Sequence, residues 1–416
     1  MGTISTLDTN TALPESGKRD LKRAERSKRR AVWLLMLPAL AFILAVFVLP
    51  IASTFYTSVK GSGVDKALPL TTAQLKNWKG DALPDDAAYR ALAADLRSAF
   101  KSREIYGVAR ELNNRIPGFM SVLVVSGRKA QTWPEGAGKA ELTEANRAWS
   151  DLDHWRTLKE GMATLTPYRL LAAVDLRQTW DGGIERAPEN QRIYLDYLVR
   201  TFWICGVVTA LCLLFAYPLA YAIASSKSLF GKIILTMTLL PFWTSILVRT
   251  AAWVIILQRN GIANEFLQAL GLISSPLTLI YNRVGVYIVM THVLLPFMVL
   301  PIYSVMKGIP RNLVPAAASL GAPPYRVFLE VYLPQTAPGI ASGVLMTFIL
   351  GLGYYITPAL VGGALDQMES DLIARFALES ANWGMAASLG VVLLVSMALV
   401  YVIYSRVFRV QRPQLS

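Results

Sequence analysis

Apolar residues in this chain fall into long, nearly unbroken runs, separated by polar stretches that carry most of the charge. The runs lie at 31–57, Arg200–Ser225, Ile233–Leu257, Val284–Tyr303, Ile340–Ile356 and Met385–Tyr404. Each has roughly the length a helix needs to cross a hydrocarbon layer, where a helix satisfies its own backbone. The pattern predicts an all-α membrane protein with about six transmembrane helices. Pro241 falls inside the third run, and a short helix is expected in the outer loop that follows it. In the fifth run Gly343, Gly351 and Gly353 offer close helix contacts.

Residues 58–193 break this pattern and predict a mostly helical external insert domain. Asp85–Phe100 has apolar residues at helical spacing behind an acidic first turn. Glu104–Asn113, Asp151–Lys159 and Pro167–Thr179 also read as helical, while Met120–Ser126 has strand character. Trp133, Trp149, Trp155 and Trp180 fit a binding face or core packing. No triad or paired carboxylates of catalytic pattern are visible.

The polar stretch after the fourth run, Pro310–Gly339, is too polar and too broken by proline to cross a membrane. One helix is expected from an Asn312 N-cap to Gly321, and a second from Pro323-Pro324 to a stop before Pro334. Val327, Phe328 and Val331 share a face of the second. Two short helices held at a membrane surface suit docking on a partner better than catalysis.

Composition agrees and narrows the choice. The chain has 416 residues, 54% of them hydrophobic, and a net charge of +13. That charge is unevenly spread. Residues 58–197 hold 20 basic and 18 acidic side chains, whereas 1–30 and the segments assigned to the cytoplasm hold 16 and 5. This is the positive-inside signature of topology, with both termini cytoplasmic, and not a nucleic-acid surface. The basic stretch before a long first run argues for an uncleaved membrane helix over a signal peptide. Cys205 and Cys212 lie seven residues apart on one predicted helix, about 10 Å along its axis, too far for a disulfide. With His154 and His292 the only histidines, no metal-ligand cluster is visible, and no P-loop string occurs.

The string Ala316-Ala317-x-x-Leu320-Gly321, followed by Phe328, Val331, Leu333 and Pro334, resembles the cytoplasmic "EAA" loop of permease subunits in bacterial ABC importers. Tyr217–Ala220 also resembles that permease family, and Leu239–Asn264 and Gly353–Gly363 resemble its spermidine/putrescine-type branch. The resemblance covers about residues 195–410 and the first helix, and departs from the family where Pro315 replaces its Glu. It implies the type I ABC importer permease fold in a bacterial inner membrane. The implied layout is a basic cytoplasmic tail at 1–30, a first transmembrane helix at 31–57 and the external insert at 58–193. A core follows at 194–405, with five helices and a cytoplasmic coupling loop at 304–339, then a cytoplasmic tail at 406–416. The loop residues implied to meet the ATPase are Pro315, Ala316, Ala317, Leu320, Gly321, Phe328, Val331 and Pro334. Implied partners are a second permease subunit, an ABC ATPase dimer, a periplasmic substrate-binding protein and the lipid bilayer. No cofactor is expected in this chain, since the partner ATPases would bind ATP, and no enzymatic activity is expected of it.

Ionisable residues within spans are expensive and point to function. Arg249 is expected to line the pathway, to pair with a partner's carboxylate, or to snorkel outward; His292 lines the pathway or bonds a neighbouring helix carbonyl. No predicted span holds Asp or Glu. The branch resemblance implies a polyamine or a related small polar solute. A polyamine would be read by aromatic faces such as Trp243, Trp253, Tyr354 and Tyr355, or by partner chains, and the residues themselves leave an anionic or zwitterionic solute open. An ion- or proton-coupled carrier would want carboxylates in its spans and often repeated halves. A membrane-anchored sensor would not need the docking loop.

Overall fold

The computed structural model describes residues 32–180, 182–226 and 228–409, and for Phe408 and Arg409 the backbone alone. The basic tail expected at 1–30 and residues 410–416 lie outside the described residues. The chain divides into two compact units, Met1–Tyr56 and Thr57–Ser416. Within the first unit, the described residues 32–56 form most of a span-length helix, Val32–Val59. That helix widens to a π-turn at Leu44–Val48, just before Pro50. A proline ring strikes the carbonyl four residues back, here Val46, and the wider turn relieves that clash.

In the second unit the permease core is built from Tyr194–Ser225, Arg283–Gly308, Leu333–Leu352 and Trp383–Arg409, with one broken helix pair between the first two. Five described helices are long and apolar enough to cross a membrane, six if the broken pair is one span. The Arg283–Gly308 helix is central. Of its most apolar stretch 61% is buried, against 33% for each of the helices packed on it, Tyr194–Ser225 and Pro324–Leu352. Small residues let the fifth span approach it. A Cβ on Gly339 would lie 3.0 Å from the backbone of Pro301 and Ile302, and one on Gly343 would lie 3.1 Å from the Met298 carbonyl. A Cβ on Gly351 would meet Cys205 Sγ at 3.2 Å. Gly353 has no such contact, because it lies past the helix end; Gly339 takes its place in the stripe. Cys205 and Cys212 are free and buried between helices, with Cys212 directed at the Thr291 carbonyl.

The third run does not form a straight helix. Leu229–Leu239 tightens to a 3-10 turn at Leu240–Trp243, the chain extends through Thr244 and Ser245, and a new helix begins at Ile246. The two halves meet at 106°. Pro241 has no N–H to donate and crowds the carbonyl of Met237, so the break falls at the expected proline, but as a corner and not a kink. The short outer-loop helix is Ile262–Ala269.

The insert is mostly helical and has its own core. Helices Asp86–Lys101, Ile105–Asn113, Phe119–Lys129 and Leu152–Gly161 enclose Tyr89, Phe119, Trp149 and Trp155, all fully buried. Their polar atoms are satisfied inside: Trp149 donates to Ser126 Oγ (2.8 Å), and Trp155 and the Tyr89 hydroxyl donate to the Trp149 carbonyl. Trp149 and Trp155 are therefore core, not a binding face. Trp133 packs half-buried against that core, and Trp180 packs beside Trp78. Met120–Ser126 is helical and not a strand. The β-branched run fills the interior with Val122, Leu123 and Ser126, a helical spacing that tertiary packing imposes over propensity. Pro167–Thr179 is helical only at Tyr168–Ala172; then Leu176–Gln178 pairs antiparallel with Ile184–Arg186.

The insert is joined closely to the core. Asp175, held at positive φ, accepts from the N–H groups of Ile193, Tyr194 and Leu195, the free donors at the start of the second span. Buried Arg169 pairs with Glu111 (2.8 Å) and bonds the Lys60 carbonyl. Gly384, in the first turn of the sixth span, has no room for a side chain: its Cβ would be 2.5 Å from Arg169 Nε. Ala173, Met385 and Leu389 form a small apolar core at this junction.

Candidate functional site

Two places collect the residues singled out above. The first is the loop after the fourth span. Leu313–Ser319 forms a helix that ends in a Schellman turn: Gly321 N–H donates to Ala318 O (3.0 Å) and Ala322 N–H to Ala317 O (3.3 Å), with Gly321 at φ +85°. The start differs from expectation. Asn312 has helical angles (φ −79°, ψ −14°) and its side chain caps nothing, because the turn already begins at Pro310, whose carbonyl accepts from Leu313. Pro315 is the third helical residue, where its missing N–H costs nothing. Pro315, Ala316 and Leu320 face outward, and Leu320 is 89% exposed.

The second loop helix starts at Pro324 but does not stop before Pro334. It widens to a π-turn at Val327–Tyr332 and continues as the fifth span. As at Pro50, the wide turn contains the carbonyl, here of Glu330, that the proline ring would strike. Phe328 and Val331 are thus part of a joint. Phe328 stacks on Tyr332 (centroids 6.0 Å) and meets the edges of Tyr217 (6.1 Å) and Tyr221 (6.4 Å) on the second span. Val327 is buried against the same wall, and Tyr217 shares a hydrogen bond with Thr336. Ala316 and Leu320 present the outward face, and Phe328 fixes how that face is held. The reading from sequence noted Tyr217 only as part of a family-like string and missed its contact with the loop, and it missed Tyr221; two aromatics four apart on the second span were the available signal.

The second place is the corner in the third span. Arg249 turns back across the break, its guanidinium donating to the Thr244 carbonyl (2.9 Å), Thr244 Oγ1 (3.2 Å) and the Pro241 carbonyl. Within this chain its partners are the backbone and hydroxyl of the break itself, groups that the sequence reading did not name. One turn on, Trp253 Nε1 donates to His292 Nδ1 (3.1 Å) with the rings at 65°. His292 therefore accepts from an indole and does not donate through Nδ1 to a helix carbonyl. Thr250 meets Thr357 (3.3 Å), joining this helix to Ile356–Val361. Tyr354 packs against the cluster that includes Trp253, while Tyr355 is 39% exposed at the start of that short helix. Trp243 is 76% exposed on the outer side of the corner. Trp253, His292 and Tyr354 are thus brought to one region; Trp243 and Tyr355 are not part of it.

A bundle of span-length helices packed around Arg283–Gly308, with a broken helix pair beside it and an outward-facing helical loop, fits a membrane transport component. Residues 202–413 match the family model described as "Binding-protein-dependent transport system inner membrane component". The chain belongs to that family and is a permease subunit of an ABC importer. It is similar to the spermidine/putrescine transport system permease protein PotB of Haemophilus influenzae, with 32% identity over 51% of this chain and 75% of that protein. It is also similar to the inner membrane ABC transporter permease protein YdcU of Escherichia coli, with 37% identity over 42% of this chain and 60% of that protein. Among solved structures, a bacterial alginate ABC transporter with its periplasmic protein aligns at TM-score 0.44 and 18% identity, over 52% of this chain and 78% of the other. The first span and the insert precede the matched residues.

Proposed function

We propose that this chain pairs with a second permease subunit, docks on a dimer of ATPase subunits through Leu313–Gly321, and imports a polyamine or a related small polar cation delivered by a periplasmic binding protein. The observation that carries the docking assignment is Leu320: a large apolar side chain 89% exposed on a short helix stopped by a Gly321 turn. An isolated exposed leucine is ordinary, but here it borders exposed Val314 and Tyr325 on a loop pinned by four aromatic rings. A face held so firmly and left uncovered suits a protein partner. ATP would be bound and hydrolysed by the partner subunits. The solute assignment is supported by the similarity to spermidine/putrescine permeases and by the Trp253, His292 and Tyr354 grouping, since indole and phenol faces attract ammonium groups.

The test is reconstitution. Proteoliposomes holding this chain, its partner permease and the ATPases are expected to accumulate radiolabelled spermidine only with ATP and the binding protein. The purified chain alone is expected to bind no ATP. Accumulation without ATP, or stoichiometric ATP binding by the isolated chain, would overturn the importer reading; ATP-driven uptake of anions but not of polyamines would overturn the solute.

A further inference from the structure

Four acidic residues lie between the fifth and sixth spans, and three have an evident place. Asp366 pairs with Arg283 (2.8 Å), Asp371 pairs with Arg375 (3.0 Å), and Glu379 is exposed. Glu369 differs. It opens the Glu369–Leu378 helix, is fully buried, and neither carboxylate oxygen has a hydrogen-bond partner. Burial alone acts on it, pushing the carboxyl up to about 8 with no cation to offset it. Arg200, on the facing second span, stacks over Tyr197 (4.9 Å) and donates to the Gln367 carbonyl instead.

Packing does not explain such a group. A leucine of similar volume would fill the space without the cost of enclosing a carboxylate. The surroundings belong to the pathway region. The Glu369 N–H donates to buried Thr201 Oγ1 (2.8 Å) on the second span, Met368 joins the core of spans two, four and five, and Ser370 Oγ donates to the Tyr354 carbonyl (2.8 Å). A divalent metal would need several oxygen ligands, and no group of three acidic, His or Cys side chains able to hold one exists among the described residues. A primary ammonium needs only one carboxylate and polar neighbours, and it supplies the missing donors.

We propose that Glu369 is the recognition group for an ammonium of the transported solute, enclosed in the arrangement described here and uncovered when its segment separates from Thr201 and Tyr354. This rests on the polyamine reading above. It names the carboxylate that the spans themselves lack.

Equilibrium binding of radiolabelled spermidine to the detergent-purified permease–ATPase complex, without binding protein, tests it. E369Q keeps the volume and the uncharged form; it is expected to weaken spermidine binding tenfold or more, while E369D stays within about threefold of the natural chain. Equal binding by E369Q and the natural chain would overturn the site. A second measurement needs no variant: a hydrophobic carbodiimide, which attacks buried protonated carboxyls, is expected to label Glu369, and spermidine to protect it, by mass spectrometry. Labelling that spermidine leaves unchanged also overturns the site. Proteoliposome uptake separates the two levels. If spermidine is imported but binding and labelling ignore Glu369, only the site falls; if neither spermidine nor putrescine is imported, the polyamine reading falls and takes the site with it.

Discussion

Arg249 illustrates how a costly residue can be explained by its neighbours. Its charge lies in an apolar stretch beside the break at Pro241, where its guanidinium spans the corner and donates to the carbonyls of Pro241 and Thr244. Arg249→Met would take the donor from the Thr244 carbonyl, at about 1–3 kcal/mol where that oxygen is shielded from water, while the Pro241 carbonyl would keep the Thr244 N–H and Oγ1. The expected outcome is a lower melting temperature of the purified complex and loss of uptake, with Arg249→Lys recovering part of both; a Met variant as stable as the natural chain would show that the corner holds without its guanidinium. The sequence marked Arg249 and His292 as unusual, and placed Pro241 inside one continuous third span. It did not connect them. The fork from Arg249 to the corner and the Trp253–His292 bond both depend on the angle between the two halves, and no spacing rule encodes that angle.

Among the elements, legibility followed the strength of local signals. Gly321 was legible because a left-handed residue after a short helix almost demands glycine, and it adopts φ +85°. The stop before Pro334 was misread because proline usually ends a helix, yet a π-turn lets this one pass through into the fifth span. Met120–Ser126 was misread for another reason: its β-branched residues favour a strand until the insert's core claims them at helical spacing. Gly321→Asp is expected to break ATPase docking, since left-handed backbone costs a residue with Cβ about 1–2 kcal/mol and the side chain would project into the partner's space. Among the described residues, chain neighbours apart, nothing lies within 4 Å of a Cβ placed there, so the spans are expected to assemble normally. Pro315→Glu, exposed at the third helical position, is expected to be tolerated. Co-purification of the ATPase with each variant, and membrane levels by immunoblot, check both; retention of the ATPase and full uptake by Gly321→Asp would end the docking assignment.

For the whole molecule, the membrane class and the existence of a helical insert between the first two spans were legible from the apolar runs. The attachment of the insert was not, because it depends on Asp175 capping a helix and Gly384 yielding to Arg169, contacts made far apart in sequence. The charge asymmetry also predicts sidedness. Cysteine placed at exposed Glu135 is expected to react with an impermeant maleimide in cells whose outer membrane is permeabilised, while cysteine at Ser319 is expected to be spared until the inner membrane is opened. Reaction at Ser319 in sealed cells would invert the topology. The π-turn at Val327–Tyr332 has one last consequence. Because it lets a single helical rod run from Pro324 to Leu352, 29 residues long, the rod reaches about 44 Å. At that length a tilt of roughly 5° about the Pro324 end would carry the far tip, next to Tyr354, through about 4 Å, about the width of a methylene chain.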